Sequence, residues 1–367
     1  VKFIYLLLAF LFFVSCKGLF KKEKNNWEPP IFPSPPAQPR VQFLYSFSSS
    51  AEIVGKRSGF IEYVVGKEPE NPIDKPYGIT VHKNKIYISD SMLPGLEIVD
   101  LSNKTFRYFA PGGLGKFKKP LNCALDSLDR LYVVDAGRRQ IVVFDKDLKY
   151  MGAVNSGKNY KPTDIALYKG RVWVCDLGQH RIEVRDQKTL KVIKTFPETD
   201  NNSEDYLYSP TNIALYGDEI YVTDTGDTRV KVYDLDGKYI RSIGSFGKRA
   251  GHFVRPKGIA LDRDGNVFVV DAAFENVQIF NNTGKILMYF GGGLPAKGYM
   301  SLPATVDIDY ENLDYFKKYL IDGFKLKYLI FVINQYGSGK VSVYGFVEPE
   351  NKKQLGQHLN SLYLGRK

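Results

Sequence analysis

Six prolines, Pro76, Pro120, Pro162, Pro210, Pro256 and Pro303, recur at intervals of 42 to 48 residues. Two residues after them stand Gly78, Asn122, Asp164, Asn212, Gly258 and Thr305. Asn122, Asp164 and Asn212 carry one carboxylate and two amide carbonyls, hard oxygen donors of the kind that hold calcium. One carboxylate with two amides makes a weak calcium site unless more oxygens join; Thr305 adds a hydroxyl to the same column. The alternative is a polar lining around water.

Other chemistry-bearing residues read as structural. Asp90, Asp135, Asp176, Asp224 and Asp271 each close a short apolar run, where an aspartate accepts backbone N–H bonds from the following turn. Arg181 and Arg229, five residues after two of them, pair with neighbouring carboxylates. The four histidines, His82, His180, His252 and His358, all fall outside the inner column, which disfavours zinc. No activated serine, Cys–His pair or phosphate-binding glycine loop stands out. Cys123 and Cys175 occupy positions that are apolar in other repeats, as buried thiols do, although a bridge between neighbouring repeats stays open.

The elements that must position these residues are short strands. Each proline leads into an apolar run such as Gly258–Leu261, followed by a polar turn and a second strand ending in Asp. A third strand ends near another Asp (Asp145, Asp186, Asp234), and a fourth, such as Lys238–Ile243, closes the unit. With 25 tyrosines and 24 phenylalanines the composition also favours strands. A four-stranded unit cannot bury both faces alone, but six in a ring cover one another. The expected fold is an all-β, six-bladed β-propeller over 41–347, with residues 41–47 completing the last blade against Val341–Phe346. The first strand of each blade is then innermost, and the Asn122–Asp164–Asn212 column rings the mouth of a central channel.

Two segments carry a family resemblance. Tyr221-Val222-Thr223-Asp224-Thr225-Gly226-Asp227-Thr228-Arg229-Val230 and Asp176-Leu177-Gly178-Gln179-His180-Arg181-Ile182 resemble NHL repeats. The chain as a whole is similar to bacterial six-bladed propeller lipoproteins, whose genes often neighbour those of multihaem cytochromes. The resemblance implies a propeller and leaves function open, since such propellers serve as enzymes, scaffolds and nucleic-acid binders. Related lactonase-like propellers bind calcium through similarly placed residues.

The flanks read as an address. Lys2 and the apolar run Phe3–Val14 suit a signal peptide over 1–15, and Phe13-Val14-Ser15-Cys16 resembles a bacterial lipobox with Cys16 as the site of acylation. That resemblance implies a lipid-anchored (palmitate-type) protein in the periplasm or at the surface. Lys17, rather than Asp, after the cysteine leans towards the outer membrane. Residues 16–40 form a tether whose prolines at 29–39 predict a stiff extended stalk. Residues 311–328 read as an insertion in the sixth blade, with Asn312 capping a helix through Lys318, and 348–367 as a basic tail.

The net charge is +11 and no dense Lys/Arg run occurs in the repeats, so nucleic acid is disfavoured and an acidic protein partner, such as a cytochrome, is favoured. The leading expectation is a non-catalytic protein-binding or scaffold module on a membrane anchor. Its rival is a Ca-dependent hydrolase or lyase at the channel mouth.

Overall fold

The computed structural model describes residues 27–54, 71–294 and 296–351. The leader, Cys16 and most of the basic tail lie outside them. Among the described residues no helix is long and apolar enough to cross a membrane.

The strands form six antiparallel sheets. Blade one holds Pro76–His82, Lys85–Asp90, Leu96–Asp100 and Thr105–Phe109. Blades two to five repeat this plan from Pro120, Pro162, Pro210 and Pro256, each sheet ordered from its inner to its outer strand as the chain runs. Blade six is assembled from both ends of the domain: Pro303–Asp309 is innermost, then Phe324–Asn334, Val341–Pro349 and Val41–Phe47. Val41 pairs with Phe346 and Phe47 with Val341. The six inner strands neighbour one another in cyclic order, with Pro303–Asp309 against Pro76–His82, so the ring is closed.

Burial follows from strand periodicity. Alternate side chains point to opposite faces of a blade, so each blade offers apolar residues to two neighbours. One apolar cluster fills each junction. Ile141, Val143 and Tyr160 meet Ile165, Val172 and Val174 between blades two and three, and Phe43, Tyr344 and Ile330 meet Phe268, Val277 and Phe290 between six and five. Hydrogen bonds stitch the same junctions, as in Thr80 Oγ1 to Cys123 O at 2.6 Å and Tyr216 OH to Arg263 O at 3.0 Å. Cys123 and Cys175 are buried and unbridged.

Three expectations need correction. The proline-rich segment does not stand clear of the ring. Ile31–Phe32 pairs with Val41–Gln42 as a fifth strand of blade six, and Ile31 is buried against Phe324 and Val347, because its apolar side chains find a covered edge there. Part of 311–328 is ordinary sheet: strand Phe324–Asn334 pairs with an equally prolonged Val341–Pro349. The remainder forms one helical turn, Leu313–Phe316, running into a 3-10 turn, Lys317–Tyr319. Asn312 does not cap that turn. Its Nδ2 donates to Lys83 O of blade one at 2.8 Å and to Asp309 Oδ2 at 2.9 Å. The turn packs onto the ring, with Phe316 fully buried edge-on to Phe331 and Tyr319 stacked on Tyr45.

Candidate functional site at the channel mouth

The inner strands all begin at one end of the ring, called here the entry face. The second strand of each blade ends there in its aspartate. Asp90, Asp135, Asp176, Asp224 and Asp271 are fully buried. Each carboxylate accepts N–H bonds from the turn after it and also from the connection leading into its blade. Asp135 accepts from Lys118 N at 2.7 Å, Lys119 N at 3.0 Å and Arg138 N at 3.0 Å. Asp90 does the same for Asp74 and Lys75, and Asp271 for Val254 and Arg255. Blade six uses Asn334, whose Oδ1 accepts from Ser301 N at 3.2 Å. Burial pushes the carboxyls of Asp176 and Asp224 above the ordinary range, and their N–H donors oppose that rise.

In blades one to five these buried bonds fix the backbone of the residue before the proline. At four of the six positions that residue is a cation: Lys75, Lys119, Lys161 and Arg255. Among the described residues none of the four has a carboxylate within ion-pair distance. Lys75 Nζ lies 5.2 Å from the ring of Tyr336. The entry face therefore carries a cationic crown on a rigid base. A cavity of about 700 Å³ on the opposite face, between blades one and two, is built differently. Its Lys83 and Lys146 are paired with Asp129 and Asp147.

A bulge then re-aims one residue per blade. In every inner strand the register slips just after the proline: Pro162 faces Asp176, while Asp164 faces Cys175. The same slip follows Pro76, Pro120, Pro210, Pro256 and Pro303. The extra residue of a bulge leaves the ladder and turns aside. Here the extra residues are Tyr77, Leu121, Thr163, Thr211, Lys257 and Ala304, the last two within wider slips. Lys257 Nζ of blade five lies 5.3 Å from the ring of Tyr77 in blade one, so the two side chains reach past blade six. Lys257 is 8% exposed. Its amine is pushed down to about 8, first by burial and then by Arg255 and Lys75. Burial, followed by Asp164, raises the Tyr77 hydroxyl to about 12.

The slip also relocates the column singled out in the sequence. Asn122, Asn212 and Thr305 are buried at blade junctions instead of facing the open mouth. Asn122 Nδ2 donates to Thr163 O at 2.8 Å, and Thr305 Oγ1 to Tyr77 O at 2.6 Å. Asp164 Oδ2 accepts from Ile213 N at 3.0 Å and from Asn212 Nδ2 at 3.2 Å. Asp164 and Asn212 thus meet, while Asn122 and Thr305 serve other junctions. Asn212 Oδ1 is the one buried oxygen of this set without a hydrogen-bond partner. Gly78 belongs to the same packing: a Cβ there would sit 2.3 Å from Asn122 Oδ1 and from Leu121 O. Among the described residues no cluster of three His, Cys, Asp or Glu is placed to hold a metal.

Below the mouth the channel is acidic. Burial pushes the carboxyls of Asp164 and of Asp307, which accepts from Val81 N at 2.7 Å, up to about 7. Sequence reasoning missed Asp307 because it lies two residues past its column. It also missed Glu97. At the corresponding position of the third strand, Gln278 binds Gly251 N and His252 O, and Lys231 binds Glu204 O, tying down the connection into each blade. Glu97 is 1% exposed, and among the described residues neither of its carboxyl oxygens has a partner. Burial and then Asp90 raise it to about 8.

A pH dependence follows. Each of these carboxyls binds its proton more tightly folded than unfolded, so its contribution is fully present below about pH 4 and is lost as pH rises. Stability should fall from about pH 4 and level off near pH 8, the upper limit set by Glu97. Glu97→Gln should match the parent at pH 5 and exceed it at pH 8 by on the order of 2 kcal/mol in urea unfolding. Equal stabilities at pH 8 would show that Glu97 is charged at no cost.

Large apolar side chains are exposed around the crown: Met92, Leu114, Tyr208, Phe246, Leu294 and Tyr336, all from entry-face loops. Acidic residues of this face concentrate in the connection before Pro210, with Glu198, Asp200, Glu204 and Asp205.

A family model described as a 6-bladed beta-propeller matches residues 184–292. No protein of curated function matches the sequence. Among solved structures, virginiamycin B lyase from Staphylococcus aureus is 15% identical with a TM-score of 0.52, over 74% of this chain and 82% of its own. A Bacteroides thetaiotaomicron protein of unknown function is 16% identical with a TM-score of 0.56, over 84% and 76%. At such identities the likeness is one of fold alone. The chain is an all-β, six-bladed propeller.

Proposed function

We propose that this propeller is a non-catalytic protein-binding module whose entry face takes an acidic partner, presented from a lipid-anchored, exported chain. The observation that carries this reading is the crown of Lys75, Lys119, Lys161 and Arg255. Four cations are held by buried backbone bonds, lack carboxylate partners among the described residues and stand among exposed apolar side chains. Cations whose backbone is fixed on one face of a rigid scaffold steer an oppositely charged partner, and the apolar residues give the contact its desolvated area. The leader and Cys16 support placing this module at a membrane surface, with an acidic periplasmic or surface protein as the partner class.

The test uses a fluorescent acidic peptide as a defined probe. Binding should weaken by about tenfold or more between 50 and 300 mM salt, the behaviour expected of screened surface charge. Binding that ignores salt would count against the crown as the recognition element.

A further inference from the structure

The centre of the entry face holds a charge the fold does not neutralise. The Lys257 side chain is largely buried, its Nζ makes no hydrogen bond or ion pair among the described residues, and it lies 5.3 Å from the centre of the Tyr77 ring. The charged or titratable groups around it are Tyr77 from the first inner strand and Arg255 and Lys75 from the lead-ins to blades five and one. Asp164 and Asp307 belong to the acidic channel beyond and form no ion pair with it. An ammonium on a largely buried side chain with no counter-charge is disfavoured, and an anion at the mouth relieves that when one is available. The bulge after Pro256 is what aims this side chain at the axis; without the slip it would lie in the blade junction.

We propose that the channel mouth is a carboxylate-binding subsite, with the Lys257 ammonium as its anchor, the Tyr77 ring as its wall and Arg255 and Lys75 as outer cations. The assignment deepens the reading of the entry face as a binding surface, because it names the chemical group that the centre of that face takes. A monovalent carboxylate suits the site better than a phosphate dianion. Lys257 is the one cation among the six residues that the bulges re-aim, and the carboxyls of the channel stand beyond it. The lowered basicity of Lys257 agrees with an amine placed beside two other cations and no carboxylate. A bound carboxylate would reverse that effect, since the ligand prefers the charged amine and the charged amine prefers the ligand.

The experiment follows Lys257 directly. The full protein is reductively methylated with ¹³C, the Lys257 resonance is assigned with Lys257→Arg, and its titration is read with and without succinate, acetate or inorganic phosphate. Succinate at about 10 mM should raise the midpoint by about one pH unit, a tenfold preference for the charged amine. Succinate affinity should be about tenfold weaker at pH 9.5 than at pH 7. Lys257→Met should abolish saturable binding and leave thermal unfolding unchanged or improved, while Lys104→Met on the opposite face should change neither. A resonance indifferent to all three anions would overturn the subsite. Phosphate binding tenfold tighter than succinate would overturn the choice of carboxylate. Loss of succinate binding with retention of acidic-peptide binding in Lys257→Met would separate this subsite from the crown, leaving the proposed function standing.

Discussion

Replacing Phe43 by alanine should destabilise the propeller by about 3–5 kcal/mol in urea unfolding, the range for emptying a fully buried aromatic site. Phe43 sits on the returning strand Val41–Phe47, has no exposed surface and meets Tyr344 edge-on at 5.6 Å. Trp27 packs across its other side at 6.0 Å. Neighbouring residues have little room to collapse into the space, because they belong to two blades held at fixed spacing by their own ladders. The effect should exceed the lost area because this strand is the latch. Without it, Val341–Pro349 would present an unpaired edge and the apolar cluster between the first and last blades would lose Leu44 and Phe47. Removing the strand altogether should replace one cooperative transition by a broad one, with soluble oligomers in size exclusion. Phe246→Ala is the control: that side chain is 71% exposed, and its loss should cost under about 0.5 kcal/mol. Equal effects at Phe43 and Phe246 would mean that the ring does not depend on its latch.

Asp271→Ala should cost about 3–4 kcal/mol, and Asp271→Asn about half of that. The carboxylate accepts Val254 N at 2.8 Å through Oδ2, and Ala273 N at 2.9 Å and Arg255 N at 3.2 Å through Oδ1. With Phe274 N, which also donates to Oδ1 at 3.3 Å, alanine leaves four donors without an acceptor at a site that has zero exposure in the parent. Asparagine keeps the Oδ1 acceptor but turns an NH₂ towards the Val254 N–H. The ring contains its own precedent: Asn334 fills this place in blade six and uses its NH₂ on Gly339 O at 2.8 Å. The alanine change should also release Arg255 from its fixed backbone and so weaken acidic-peptide binding, an effect absent from a variant that merely lowers stability elsewhere. Chemical denaturation and peptide titration on the same three proteins check both halves. A milder loss for alanine than for asparagine would contradict the accounting of donors.

The architecture was legible because its signals are local and repeated. A proline that cannot donate to a ladder opens each inner strand, and an aspartate that captures nearby N–H groups closes the second. Six copies of that pair announce six blades, and a leftover apolar strand at 41–47 announces the latch. The site was less legible. The column Asn122, Asp164, Asn212 was visible as a column, but the slip that turns its two asparagines into the blade junctions depends on backbone register, which alternation of residue types does not report. The same slip brings Lys257 forward, and its contact with Tyr77 joins strands from opposite ends of the sequence. The cations before the prolines lay in plain view, yet they become a crown only once the buried aspartates are seen to hold their backbone. Residues 324–328 looked like an insertion because nothing local says that Phe346–Pro349 would lengthen to pair with them. Ile31–Phe32 escaped notice among prolines because two apolar residues are too few to announce a strand.

In the proposed reading one face of the ring, and not its overall positive charge, recognises an acidic partner. Two variants of identical net charge separate these ideas: Lys75, Lys119, Lys161 and Arg255 all changed to Glu, and Lys104, Lys188, Lys238 and Lys285 of the opposite face all changed to Glu. Titrated with the same acidic peptide in low salt, the first should bind at least about thirtyfold more weakly than the parent, and the second within about threefold of it. Equal losses in the two would show that net charge alone draws the peptide, and the entry face would lose its claim to be a binding surface.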